Sequence, residues 1–196
     1  MFNLSQVIID AKKALEEESA TDIRFNHNYK IFKRFIEVAE SAKTDLEFHQ
    51  EILKDFDLFC VAYVRLDNRK PMYPAPWQSE AARTFEEHSV NLFIEPRKIG
   101  KSAVLSAYVL WVMCKDESTR AVIFAPTQAQ LFIMEDIWKA LKRCDYLMQE
   151  YVQPNASLHK RGTYGKEYIR FAKNESEVVA SNLAQSQKAD SKRGNK

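Results

Sequence analysis

Cysteine is scarce in this chain of 196 residues, and its three copies are odd in number and widely separated. Cys60, Cys114 and Cys144 stand mostly within apolar runs, so we expect reduced core thiols of an intracellular protein and no disulfide framework. The absence of Cys-x-x-Cys and His-x-x-x-His pairs argues against a metal cage. The apolar run 103–114 is too short to span a membrane, and Met1-Phe2-Asn3 does not begin a signal peptide.

A strong excess of either charge is also missing. The formal net charge is +2, which is too small to indicate nucleic-acid binding by itself. The content of 45% hydrophobic and 29% charged residues is typical of a globular protein. The length is sufficient for one domain with an appendage.

The first third of the chain predicts helices. Apolar residues recur at helical spacing in three stripes, and Thr44 with Glu47 forms a capping box before the third stripe. We therefore interpret residues 1–66 as a helical appendage. Residues 67–76 contain Pro71, Pro74 and Pro76, which predict an extended linker.

From residue 77 onwards the pattern alternates between strands and helices. We expect helices over 77–87, 102–115 and about 127–143, and a capping box of Thr127 and Gln130 opens the last of them. We expect strands over 90–94 and 121–125, and a hairpin formed by 167–172 and 177–183. Two successive strand–helix units imply a parallel sheet with right-handed crossovers. The fold class is α/β, and we expect residues 77–196 to form an incomplete domain.

The segment Arg97-Lys98-Ile99-Gly100-Lys101-Ser102 stands between a predicted strand and a predicted helix. In that setting successive backbone N–H groups and a helix N-terminus point at one place, which favours phosphate. Lys101 would reach the β- and γ-phosphates of ATP, and the Ser102 hydroxyl would hold Mg²⁺. Glu95 stands where the usual P-loop has its first glycine. A surface turn before a helix is the other interpretation of these residues.

Three features in order carry a resemblance to a known family: Pro76-Trp77-Gln78 before a helix, the Arg-x-x-Gly-Lys-Ser loop, and the strand that ends in Ala125-Pro126-Thr127-Gln128. Together they resemble the ATPase domain of the large terminase subunit, the motor that drives viral DNA into capsids. The phosphate loop of that family begins with a basic residue, so the missing glycine is expected there. The resemblance covers about residues 76–194 and implies a P-loop fold similar to superfamily 2 helicases.

The resemblance also implies residue roles. Gln78 would read adenine, since an amide both donates and accepts, although a polar residue at a helix N-terminus explains it equally well. Arg97 would stabilise the γ-phosphate, with Lys98, Ile99 and Gly100 completing the loop. Arg193 could reach a neighbouring subunit as an arginine finger, but we favour a solvated tail residue. For Thr127 we favour capping alone.

The partners that the resemblance implies are double-stranded DNA, further copies of the chain in a ring, the small terminase subunit and the capsid portal of a bacteriophage. The resemblance also implies that the protein acts in the host cytoplasm and without a membrane. The acidic strand that holds Mg²⁺ in this family does not follow Gly194, and the nuclease half is absent. The run Leu131–Asp136 is rejected as that strand because its pattern is helical. We therefore expect a truncated chain that hydrolyses ATP poorly alone.

Two other interpretations stay open. The chain could be a helicase-like P-loop ATPase unrelated to packaging, or a non-catalytic fragment that holds an anion and docks a partner. The basic residues Lys139, Lys142, Arg143, Lys160, Arg161 and Lys166 could face DNA, although acidic residues interrupt them and solvated side chains are the simpler explanation.

Overall fold

The computed structural model describes residues 3–16, 23–66, 69–91, 100–125, 132–152, 159–161 and 166–182. These residues form a mixed α/β fold that is mostly helical and carries a small mixed sheet. Its elements are α1 (Leu4–Glu16), α2 (Ile23–Ser41), α3 (Asp45–Ile52), α4 (Phe56–Tyr63), α5 (Pro76–Glu87), α6 (Lys101–Lys115), β1 (Arg120–Ala125), α7 (Phe132–Lys142), α8 (Asp145–Tyr151), β2 (His159–Arg161), β3 (Lys166–Phe171) and β4 (Ser176–Asn182).

Capping side chains set the bounds of the helices in the first third. Thr44 Oγ1 accepts from the Glu47 amide at 3.2 Å, as the sequence predicted, and the Glu47 carboxylate accepts from the Lys43 amide at 2.8 Å. The third stripe is not one helix, because Asp55 accepts from the amides of Asp57 and Leu58 and starts α4 anew. A side chain at the N-cap satisfies amides that a continuous helix would bond internally.

The predicted linker is extended but packed. The amide of Met72 donates to Val64 O at 3.0 Å, and the Met72 side chain is buried in the core. Tyr73 donates from its hydroxyl to Ala11 O at 2.9 Å, which fastens this segment to α1. The segment therefore holds α5 against the N-terminal helices.

One cluster of buried residues extends from Ala11 to Ala180. The Trp111 ring of α6 lies 5.6 Å from that of Phe56, and its Nε1 donates to Leu53 O at 2.8 Å. The end of α3 and the start of α4 thus pack directly on α6. The division at residues 66 and 76 into appendage, linker and ATPase part stays a prediction. No helix among the described residues is long and apolar enough to cross a membrane.

The sheet has the strand order β1-β4-β3-β2. Strands β1 and β4 pair in parallel, with Arg120 opposite Glu177, whereas β4 with β3 and β3 with β2 are antiparallel. The predicted strand 121–125 and the hairpin are confirmed. The sheet is mixed, not wholly parallel as expected, because the turn at 172–175 reverses the chain directly into β4.

One further prediction differs from the structure, a second agrees with it as far as the described residues reach, and one helix was not predicted. Val90 is 89% exposed and lies in a bend, so no buried strand begins there, and residues 92–94 lie outside the described part. The described part of the helix expected from Thr127 is α7, and residues 126–131 lie outside the description. The short helix α8, buried through Leu147 and Tyr151, was not predicted, because seven residues are too few for a clear periodic signal.

Candidate anion-binding site

Helix α6 begins directly after Gly100, one residue earlier than the sequence predicted. Gly100 has a φ angle of 95°, in the left-handed region that glycine adopts without steric cost. As the N-cap residue it has no side chain with which to accept from the first amides of the helix. The N-terminus of a 15-residue helix therefore starts at Lys101 and Ser102, and the helix dipole favours an anion there.

Gln78 holds this turn in place. Its Nε2 donates to Gly100 O at 3.3 Å, and its Oε1 accepts from the Ala75 amide at 2.8 Å. The side chain is 8% exposed. Both ends of the amide are thus engaged within the chain, which agrees with the helix-terminus interpretation of Gln78. Its role in reading adenine stays a prediction and requires the amide to exchange these partners.

The start of α6 opens on a pocket of about 440 Å³. This volume lies within the range of small-molecule sites in proteins. Gly100, Lys101 and Ser102 line it from one side. The remaining lining residues come from the segment after α4, from the extended segment before α5, from α6, and from α7 with the residue that follows it: Val64, Arg65, Leu66, Met72, Ala103, Ser106, Ala107, Asp136, Lys139, Ala140 and Arg143.

The charged side chains of this pocket are mainly basic. Four cationic side chains, Arg65, Lys101, Lys139 and Arg143, face one carboxylate, that of Asp136. Clustered cations beside a helix N-terminus raise the local concentration of anions. The sequence indicated Lys139 and Arg143 only as part of a possible DNA-facing set, since their distance of about forty residues from Lys101 hides this contact.

Arg65 anchors one wall of the pocket. Its guanidinium donates to the carbonyls of Val61 and Ala62, each at 3.0 Å, and so caps the last turn of α4. Burial lowers its pKa, but arginine keeps its charge at any pH in the physiological range. The carbonyl of Arg65 in turn accepts from Arg143 Nη1 at 3.3 Å. The two basic side chains are therefore positioned by the same stretch of backbone.

Ser106 is the least expected residue of the lining. It is 4% exposed, and its hydroxyl has no hydrogen-bond partner among the described residues. A buried hydroxyl without a partner costs free energy, so such groups are rare and point to a missing partner. Ser106 stands one helical turn after Ser102, on the same face of α6. In the sequence it looked like an ordinary member of a core helix.

Among the described residues, the carboxylate that lines the pocket lies on a helix. Asp136 is in the first half of α7, which agrees with rejecting Leu131–Asp136 as an acidic strand, although Leu131 itself lies outside the described part. The Asp136 carboxylate is 3.9 Å from the ammonium group of Lys139. No group of three or more His, Cys, Asp or Glu side chains suited to a metal occurs among the described residues.

Some predicted site residues cannot be located. Arg97, Lys98 and Ile99 lie outside the described residues, as does Arg193. Of the predicted set, the structure brings together Gln78, Gly100, Lys101 and Ser102.

A second polar cluster joins α2, α4 and α5. Ser79 donates to Asp57 Oδ1 at 2.7 Å, and His27 Nε2 is 3.3 Å from the same hydroxyl. Burial raises the pKa of Asp57, while the Ser79 hydrogen bond opposes that rise. This is not a nucleophile with its base, because the hydroxyl donates to the carboxylate and not to the imidazole. Its effect is to fix the start of α5, and with it Gln78.

No protein-family model matches the sequence, and a search of curated proteins gave no significant match.

Proposed function

We propose that this chain is the nucleotide-binding part of the ATPase domain of a terminase large subunit, which couples ATP hydrolysis to the translocation of double-stranded DNA into a viral capsid. The observation that carries the proposal is the Gly-Lys-Ser turn at the start of α6, on the wall of a basic pocket. A triphosphate is the biological anion whose size and charge suit such a turn.

In this proposal the chain's own groups bind and orient the nucleotide. The amides that follow Gly100 donate to phosphate oxygens, and the Lys101 ammonium neutralises the β- and γ-phosphates. The Ser102 hydroxyl and phosphate oxygens would hold Mg²⁺, which supplies charge neutralisation to phosphoryl transfer. Gln78 positions Gly100 through the bond to its carbonyl. Arg97 would add charge at the γ-phosphate.

The packaging role is supported by the order of three motifs, namely Pro76-Trp77-Gln78, the Arg-x-x-Gly-Lys-Ser loop and the strand β1 followed by Pro126-Thr127. The parallel pairing of β1 with β4 is compatible with a P-loop core of the superfamily 2 type. DNA, a ring of identical subunits, the small terminase subunit and the portal follow from the resemblance alone. So does the host cytoplasm as the place of action.

The test is a titration of the 196-residue chain with a non-hydrolysable ATP analogue, with and without Mg²⁺. Lys101→Ala should weaken binding at least about tenfold, since a charge-assisted contact contributes about 1.5–3 kcal/mol. Lys142→Ala is the matched control, because Lys142 lies on the neighbouring face of α7 with its ammonium 6.0 Å from the Trp138 ring centre. Equal affinity of the wild type and Lys101→Ala would refute the proposal.

A second candidate is a module that binds polyphosphate without reading a base. It is favoured by the engagement of both ends of the Gln78 amide with Ala75 and Gly100. Inorganic tripolyphosphate would then bind as tightly as ATP, and Gln78→Ala would affect both alike. A nucleotide site predicts tighter binding of ATP than of tripolyphosphate.

A further inference from the structure

We propose that α7 and Ser106 form the second wall of the nucleotide site, with Lys139 and Arg143 binding the terminal phosphates opposite the start of α6. This inference rests on the proposed function, and it assigns to that site three residues outside the Gly-Lys-Ser turn. The ligand class is a nucleoside polyphosphate, whose charge increases toward its terminal phosphate.

The position of α7 is the first step. Lys139 and Arg143 are four residues apart, so their side chains leave the same face of the helix, and both line the pocket with Lys101. Nη1 of the Arg143 guanidinium donates a hydrogen bond to Arg65 O at 3.3 Å. Arginine offers five N–H donors in a fixed plane, a geometry that suits the oxygens of a phosphate group.

Ser106 is the second step and is independent of charge. Ser106 lines the same pocket, and its buried hydroxyl lacks a partner among the described residues. A phosphate oxygen between α6 and α7 would accept its hydrogen bond and remove the cost of its burial. An apolar or purely structural pocket gives no reason for a serine at this position, since alanine fits a helix better.

The balance of charge indicates which anion fits. Among the lining residues, four cations and one carboxylate give a formal excess of three positive charges, and Glu135, outside the lining, lies 3.9 Å from the Lys139 ammonium group. A triphosphate neutralises such an excess more fully than a monophosphate. We therefore expect affinity to fall from ATP to ADP to AMP. The substitutions in α7 should weaken ATP binding more than ADP binding.

The experiment compares Lys139→Ala and Arg143→Ala with the control Lys142→Ala. Dissociation constants for ATP, ADP and tripolyphosphate are measured by calorimetry, and thermal unfolding without ligand checks each fold. Each pocket variant should lose about tenfold in ATP affinity. Lys142→Ala should stay within about twofold of the wild type, since its charge lies outside the pocket lining.

Ser106→Ala separates a ligand contact from a packing role. A hydroxyl that donates to phosphate predicts weaker ATP binding together with greater stability of the free chain, because the variant removes an unpartnered buried group. Unchanged affinity would overturn the role of Ser106.

The outcomes distinguish this inference from the proposed function. If Lys101→Ala abolishes ATP binding while the α7 variants bind as the wild type does, the second wall is wrong and the nucleotide site stands. If wild type and Lys101→Ala bind alike, both fail. If the α7 variants weaken binding of a short DNA duplex but not of ATP, α7 is a DNA surface and the inference is overturned.

Discussion

Replacing Gly100 with alanine adds one methyl group at a residue whose backbone is left-handed, with a φ angle of 95°. A non-glycine residue pays about 1–2 kcal/mol for that conformation. The new Cβ would also lie 2.9 Å from Gln78 Nε2, so the amide must move and its bond to Gly100 O is lost or lengthened. A net hydrogen bond contributes about 0.5–1.5 kcal/mol. We expect Gly100→Ala to lower the free energy of unfolding by about 2–3 kcal/mol.

Urea unfolding followed by circular dichroism measures this loss of stability. Two further variants separate the contribution of the backbone conformation from that of the contact with the Gln78 amide. Asparagine tolerates the left-handed region better than alanine, so the part of the stability loss that comes from the backbone conformation should be smaller for Gly100→Asn. In a Gln78→Ala background the contact with the amide is gone, and Gly100→Ala should then cost only about 1–2 kcal/mol. A loss below about 0.5 kcal/mol in the wild-type background would show that the turn is not constrained in this way.

Two other predictions concern buried polar groups. Burial lowers the pKa of His49 from its ordinary 6.5 to about 4. Between these two pH values the folded chain therefore binds fewer protons than the unfolded chain. The free energy of unfolding should consequently fall as the pH drops from about 6.5 to about 4. Urea unfolding measures the free energy of unfolding at pH 7 and at pH 4.5. Its decrease between the two should be smaller for His49→Gln than for the exposed control His88→Gln, and equal decreases would contradict the prediction. Ser176 is fully buried, donates to Asp116 O at 3.0 Å and accepts from the Thr119 amide at 3.0 Å. Ser176→Ala should therefore cost about 1–3 kcal/mol, which lowers the midpoint of thermal unfolding by several degrees. An unchanged midpoint would refute a stabilising role of these two hydrogen bonds.

The elements around the site were predictable where local chemistry decides them. The proline before Trp77 fits the first turn of α5, and the glycine before Lys101 marks the start of α6. Apolar alternation around a polar turn predicted the hairpin, and β1 is a short apolar run that includes the β-branched Val122 and Ile123. Each signal lies within a few residues of the element that it predicts.

The second half of the pocket could not be predicted, since it depends on packing between distant segments. Nothing local connects Arg143 with Arg65 or with Lys101, because the contact arises only once α7 packs along α6. The break between α3 and α4 was missed for a different reason. Asp55 lies inside an apolar stripe that continues through it, so the N-cap was hidden by the periodicity.

The most direct test of the account is a residue-resolved map of where ATP binds, from backbone amide chemical shifts of the 196-residue chain with and without a non-hydrolysable analogue and Mg²⁺. We predict the largest changes at the amides of residues 100–103, with smaller changes in α7 around Lys139 and Arg143. Changes confined to other parts of the chain, such as the Asp57–Ser79 cluster, or no changes at saturating ligand, would contradict a triphosphate site at the start of α6.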